Sequence, residues 1–384
     1  MTLALILLGS LCLLFAVHPF VTYPASLLIL RAVRRQRAAT AGREATPPSF
    51  AICMCAYNEE AVIGAKIRNL LKLRARHPGL EILVYVDAAT DDTAEILEPF
   101  RDRIRLQVAQ KRHGKTYGMN LLASLASADV LIFTDANVML DLDCVSDLER
   151  HFSDPQVGCV CGNLSYTNGS ASVTAQTGTL YWRFEQAVKR LETDTGSTLT
   201  ADGSIFALRR SLHVAPPDDI IDDMYVSLAV LIRGYRVIQA SDVRAYEASA
   251  TTSREEFGRK VRIACQAFNV HRLLRPWLPR LDALTRYKYV SHKLLRWLSI
   301  YFLGLGLCAL IAAAVAAGHA IPAMIVIALL LVGAAVGYWT SLPLFAQIVD
   351  LLMALAGAGL GVWRSIRGER FQTWTPVDSV RKGA

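Results

Sequence analysis

The chain has 384 residues, 53% of them hydrophobic and only 19% charged, and a formal net charge of +8. An apolar excess of that size excludes a disordered chain and is unusual for an ordinary soluble enzyme. Eight cysteines in so long a chain exclude a disulfide framework.

The excess is localised at the two ends. Residues 2–30 contain no Lys, Arg, Asp or Glu. A bilayer takes roughly 20 apolar residues, so residues 1–31 predict a membrane helix with Pro19 and Pro24 as kink points. No basic residue precedes the run and it is too long for a cleaved signal peptide. Arg31, Arg34, Arg35 and Arg37 follow, which by the positive-inside rule holds the next domain in the cytoplasm. Residues 32–48 read as a basic linker ending at Pro47-Pro48.

The middle of the chain, 49–253, alternates. A strand over 49–56 ends in Tyr57-Asn58-Glu59-Glu60, a helix follows over 60–76, and a strand over 81–86 closes at Asp87. Helix 93–101, strand 104–108, helix 115–126 and strand 130–134, closing at Asp135, complete the pattern. Strands alternating with helices predict an α/β domain with a mostly parallel sheet, and such sheets bind ligands beyond the carboxyl ends of their strands. Three strands end there in polar clusters, which points to a site. The chain has no Gly-x-Gly-x-x-Gly after the first strand and no complete P-loop, which disfavours dinucleotide binding and P-loop hydrolysis.

Further on, Asp222-Asp223 opens a helical run. Adjacent carboxylates there raise the chance of a pKa suited to a general base, although an N-cap with a first-turn acid is the plainer reading of the pair alone. Thr134-Asp135-Ala136-Asn137 offers oxygen ligands to a hard cation. Lys115, in His113-Gly114-Lys115-Thr116, could meet a metal-held diphosphate. Arg259-Lys260-Val261-Arg262 reads either as stabilisation of a leaving phosphate or as a basic membrane-facing helix. Residues 254–296 interleave Arg and Lys with Trp and Tyr. Beside a membrane span this favours interfacial helices over nucleic acid. Candidate spans follow at 297–317, 321–342 and 343–363, so 297–363 holds two or three. The last could be a span, a re-entrant segment or an interfacial helix because it carries Gln347 and Asp350. Three full spans would put Arg364, Arg367 and Arg370 of the basic tail, 364–384, on the far side, against the charge rule. Cys53/Cys55 and Cys159/Cys161 read as packed pairs, and His77, His113, His151 and His213 lack ligand spacing. The two Asn-x-Ser motifs at 163–165 and 168–170 are irrelevant in a cytoplasmic domain.

Taken in order, these segments resemble the membrane-bound family 2 glycosyltransferases of the GT-A fold, a group that includes hyaluronan, chitin and cellulose synthases and ceramide glucosyltransferases. The resemblance covers roughly residues 48–270. It implies a nucleotide-binding role for Ala56, Tyr57, Asn58, Glu59, Asp87, Lys115 and Asp135, with Asp87 at the base. It places Asp135 and Asn137 at the family's Asp-x-Asp, holding Mg2+ or Mn2+. Asp202, Gly203 and Ser204, with Arg209-Arg210, match an acceptor-side loop, and Arg259 joins the acceptor side. Asp223 becomes the implied base, with Asp222 and Arg262 beside it. Two departures stand out: Asn137 replaces the second acid, and Ile263 replaces the Trp of Gln-x-x-Arg-Trp. Loss of that stacking face favours one sugar per acceptor, or a different acceptor.

The expectation is an inverting glycosyltransferase. It uses a nucleotide-diphosphate sugar, UDP favoured, and a lipid-linked or glycan acceptor at the membrane. The alternatives are a processive polysaccharide synthase and a non-catalytic nucleotide-sugar-binding regulatory subunit. The setting expected is a multi-pass protein of the inner membrane with no nucleic-acid partner, open to homo-oligomerisation.

Overall fold

The computed structural model describes residues 1–33, 47–167, 173–247, 253–340 and 343–373. Arg34, Arg35, Arg37, most of the linker, Asn168-Gly169-Ser170 and the tail beyond 373 lie outside them. The middle of the chain forms an eight-stranded mixed sheet in the order β3-β2-β1-β4-β7-β6-β8-β5. Strands β1 (Phe50–Ala56), β2 (Glu81–Val86), β3 (Arg105–Val108) and β4 (Val130–Asp135) are mutually parallel. Strand β7 (Ile205–Arg209) then runs antiparallel between β4 and β6 (Val157–Tyr166). β8 (Arg236–Glu247) pairs parallel with β6, and the short β5 (Met139–Leu140) closes the edge antiparallel to β8.

Strand β1 is buried on both faces, as a central parallel strand covered by helices must be. Its side chains alternate between two cores. Ile52 and Met54 pack with α3 (Glu60–Arg76) and α6 (Cys144–Phe152), whereas Ala51, Cys53 and Cys55 pack with α5 (Lys115–Leu125) and α8 (Asp222–Ile232). Helix α3 illustrates how the sequence specifies an element. Ile63, Ile67, Leu70 and Leu71 form one apolar stripe, Glu60 occupies the first turn, and Arg74 and Arg76 the last, each charge complementing the helix dipole. Sequence order 3-2-1-4 places the reversal of winding between β1 and β4, so the crevice lies beyond Ala56 and Asp135.

The apolar ends pack against this domain. The N-terminal run is two helices, α1 (Thr2–Val17) and α2 (Thr22–Val33), bent by 62° at His18-Pro19-Phe20-Val21. Helix α1 lies along α11 (Leu295–Ala316), while α2 turns against α7 (Val173–Asp194) and buries Tyr23, whose hydroxyl donates to Glu192 at 2.5 Å. α10 (Ala283–Lys288), a π-helical turn over Tyr289–Leu294 and α11 form one run over Ala283–Ala316, long and apolar enough to cross a membrane, as is Ile348–Ile366. Between them α12 (Ala320–Thr340) is unbroken and carries no charge.

Helix α13 (Pro343–Ile366) lies against α9 (Ser253–Leu274) of the interfacial region. Ser365 donates to Asn269 at 2.6 Å, and Arg370 pairs with Asp219 at 2.9 Å. Arg370, with the end of α13, thus lies beside the α/β domain.

Candidate active site

The first two strand ends are laced to each other. Asn58 sits in the left-handed region at φ 53°, and its side chain bonds the backbone and hydroxyl of Thr90. Asp91 accepts from Thr93 and from the backbone N–H of Glu60, at the start of α3. Asp87 is fully buried and accepts from the backbone N–H groups of His113 (2.7 Å) and Gly114 (3.0 Å). Its carboxylate thus shapes the turn that starts α5, where Gly114 takes φ 94°. Arg112, 3.7 Å from Asp87, lays its guanidinium over the Tyr57 ring at 3.5 Å. Tyr57 and Arg112 together make a flat, cationic clamp at the tip of β1. Sequence reasoning missed Arg112, because an arginine in a loop carries no periodic signal.

The turn launches Lys115 toward the end of β4, where its ammonium meets Asp135 at 2.5 Å. Although burial works against its charge, Asp135 and Asp222 hold Lys115 charged, above the usual lysine range. Two cross-links bring α8 to the same place. Thr116 donates to the Ile220 carbonyl and Asn120 to the Pro216 carbonyl, both at 2.8 Å. Asp222 and Asp223 then open α8 within the cavity. Gly203 matters here for its missing side chain. A Cβ there would stand 3.2 Å from Asp223 Oδ2 and 3.3 Å from Lys115 Nζ, so glycine lets the loop cross directly over both charges. Burial, and then the neighbouring Asp222 charge, push the Asp223 carboxyl up to about 7. Asp222 keeps one oxygen buried without a hydrogen-bond partner.

The remaining groups converge on the same cavity, about 520 Å3 in volume. Arg259, Arg262, Asp202, Gly203, Ser204 and Asn137 all line it. Asp202 is fixed by the buried Lys189 of α7 at 2.6 Å. Burial, with Arg259 beside it, lowers the Arg262 guanidinium below its ordinary range, against the pull of Asp135. Asn137 donates to Glu247 at 2.8 Å. The acid absent from position 137 is therefore matched by a carboxylate at the end of β8. The same strand-end rule that marked Asp87 and Asp135 would have marked Glu247.

Lys66 of α3, its ammonium driven down to about 7 by burial, donates to Thr134 at 3.2 Å and to the Val138 carbonyl, bracing the Asp135–Asn137 turn from below. Asp87 and Tyr57 are not among the cavity-lining residues. Arg209 and Arg210 are spent at the opposite end of the sheet, on the carbonyls of Phe152, Val157 and Ala128. They are not brought to the site.

The oxygen donors Asp135, Asn137 and Glu247 suit a hard cation. Among the described residues no three carboxylate, imidazole or thiol groups could hold an ion unaided. Two carboxylates and one amide cannot enclose a divalent ion alone, so Asp135, Asn137 and Glu247 would hold one only together with oxygens of a bound ligand.

Residues 51–214 match the family model "Glycosyl transferase family 2". The O-antigen chain rhamnosyltransferase RfbN of Salmonella typhimurium is 25% identical over 204 residues, 50% of this chain and 64% of that protein. The poly-β-1,6-N-acetyl-D-glucosamine synthase of Staphylococcus epidermidis is 24% identical over 192 residues, 48% of this chain and 46% of that protein. The chain thus spans about half to just under two thirds of the length of these curated relatives. A mannosyltransferase from Pyrobaculum calidifontis, solved with GDP-Man and Mn2+, superposes with a TM-score of 0.71 at 20% identity, covering 95% of this chain and 99% of that one. The fold is that of a GT-A glycosyltransferase, mostly parallel with an antiparallel insertion. Within the α/β domain, it is residues 51–214 that match glycosyltransferase family 2.

Proposed function

We propose that the chain is an inverting glycosyltransferase that moves one sugar from a nucleotide-diphosphate donor to a hydroxyl of a membrane-associated acceptor. The observation that carries this reading is the shared cavity, where Asp223, its pKa raised, stands beside Lys115, Asp135 and Arg262. Asp223 takes the proton of the acceptor hydroxyl, and the freed oxygen attacks the anomeric carbon from the face opposite the diphosphate. The bond from that carbon to the diphosphate oxygen breaks, and its electron pair leaves with the nucleotide diphosphate. Lys115 and Arg262 meet the charge that develops there. Bound Mg2+ or Mn2+, held by Asp135 with Asn137 and Glu247, would supply Lewis-acid neutralisation of the diphosphate. The base is placed beside the stacked Tyr57–Arg112 pair at the tip of β1, and a UDP-sugar is the favoured donor.

Ile263 lines the cavity where an aromatic face would hold a growing glycan, which favours single addition over polymer extension. The apolar helices and the basic residues on the domain side support a multi-pass protein of the inner membrane with this domain in the cytoplasm.

The test measures release of nucleotide diphosphate from a panel of UDP-, GDP- and dTDP-sugars by the full chain in membranes. One donor should turn over with Mg2+ or Mn2+. Asp223→Asn should lose about 10²–10⁴-fold in turnover yet bind the nucleotide unchanged. Wild-type turnover in that variant would refute the assignment. Tight nucleotide-sugar binding without turnover would support a regulatory subunit instead.

A further inference from the structure

Strands β4, β6 and β8 run the same way, because β7 lies antiparallel between β4 and β6 and β8 pairs parallel with β6. Their carboxyl ends therefore share one edge of the sheet. Strand order sets β6 and β8 on the side of β4 away from β2, whose end carries Asp87. The ends of β6 and β8 thus lie apart from the residues assigned to the nucleotide base.

An aromatic corner is built there. Tyr166 closes β6 and stands opposite Glu247 in the register with β8. Glu247 accepts from Asn137 at 2.8 Å, which ties the corner to the turn after Asp135. Trp182 of α7 meets Tyr166 with ring centroids 6.0 Å apart and planes at 62°. The indole N–H is spent on the Leu164 carbonyl at 2.9 Å, so the ring is fixed and presents carbon, not a donor. Both side chains are half-buried, and both line the cavity that Lys115 and Asp223 also line. Other rings of that cavity are committed elsewhere. Tyr181 stands 5.6 Å from the Lys260 ammonium and 5.6 Å from the Arg296 guanidinium carbon. Trp297 is 8% exposed and packs with Phe268, His271 and Tyr289. Position 263 offers isoleucine, with no ring.

Resting on the glycosyltransferase reading, we infer that Trp182 and Tyr166 hold the acceptor by packing against a pyranose ring, so that the reacting hydroxyl belongs to a sugar. A pyranose has an apolar C–H face and a polar rim. It needs a flat apolar surface with hydrogen-bonding groups close by, and here the aromatic corner shares its cavity with Asp202 and Asp223. An alkyl chain would gain nothing from those carboxylates. The transferred sugar is held through its diphosphate by Lys115 and Arg262, which leaves the corner to the acceptor. Trp182 is thereby a specificity residue that favours a ring-bearing acceptor over an open-chain alcohol.

The experiment reads binding without transfer, so its outcome is separable from that of the donor panel. The full chain is held in octaethylene glycol dodecyl ether, a detergent with no sugar to compete. The methyl β-pyranosides of glucose, galactose and N-acetylglucosamine, and methyl α-mannopyranoside, are titrated by saturation-transfer NMR. The open-chain polyol glucitol is titrated beside them. At least one pyranoside should bind about tenfold more tightly than glucitol. Trp182→Leu should cut that preference about 5- to 10-fold, and Trp182→Phe, which keeps a ring face, should retain most of it.

Retained UDP or GDP binding checks the fold of each variant. Tyr166→Leu removes the other wall of the corner and should weaken the same pyranoside even if Trp182→Leu fails to fold. A second arm compares UDP-glucose with UDP and GDP-mannose with GDP. Those affinity ratios should be the same in Trp182→Leu as in wild type. A ratio that falls about tenfold would make the corner a donor-sugar site and overturn the inference. A wild type that does not prefer any pyranoside to glucitol overturns it too, as does a preference that the leucine variants leave intact. None of these results touches the transfer reading, which the donor panel and Asp223→Asn decide.

Discussion

Asp223 shows what position does to a carboxyl. In water it would be fully ionised at neutral pH and a poor base. Buried beside Asp222, it titrates near 7, where a base combines a useful ionised fraction with a real affinity for protons. Rate should therefore fall as pH drops below about 7, with the limb set by the Asp222–Asp223 pair and not by one residue. The stability sign follows from the same shift. A folded-state pKa above the ordinary 3.8 means that the native state binds more protons between pH 4 and 7, so stability declines as pH rises through that window. Asp223→Asn removes the ionisation. The variant should melt higher than wild type at pH 8 and close to it at pH 4, measured by thermal unfolding in detergent. An inactive variant that is also less stable at pH 8 would show that the Asp223 charge is not held at a cost.

Among the elements, the pairing of α13 with α9 decides whether the cationic side of the site exists. Gly361 is the crossing point. A Cβ there would lie 2.6 Å from the Val261 carbonyl oxygen and 2.8 Å from the Cys265 backbone nitrogen, and backbone atoms cannot yield as side chains do. Gly361→Leu should push the helices apart at about 1–3 kcal/mol and displace Arg259 and Arg262. Turnover should fall at least tenfold. Gly304→Leu in α11, with open space around it, is the control and should be close to neutral.

This contact was not legible in the sequence. An apolar run with one acid reads equally as a span or an interfacial helix, and the deciding feature is the absent side chain of one glycine. The same limit hid β7. Its insertion between β4 and β6 is long-range pairing, which local periodicity does not encode. The first half of the sheet was legible because each strand is short, apolar and closed by a polar cluster. Asp87 and Asp135 were legible for the same reason, whereas Asp222 and Asp223 were read from the helix they open.

At the scale of the whole molecule, the membrane reading makes a claim about a single thiol. Seven of the eight cysteines are buried in protein, and Cys308 in α11 is exposed. In a soluble protein it would be the reactive one. Arg296 is the last charged residue before the apolar run of α11, which sets it at headgroup level, and Cys308 lies 12 residues further along α11. At about 1.5 Å per residue that is roughly 18 Å, past the middle of a hydrocarbon layer about 30 Å thick. There a water-soluble reagent does not reach the thiol. In native membranes a water-soluble maleimide should therefore label none of the eight, the lipid shielding the one that the fold leaves open. Exchange into a mild detergent should not free the seven, and unfolding in dodecyl sulfate should release all eight. Rapid labelling of Cys308 in sealed, intact membranes would mean that α11 lies in water. The membrane-spanning reading of α11 would then fall.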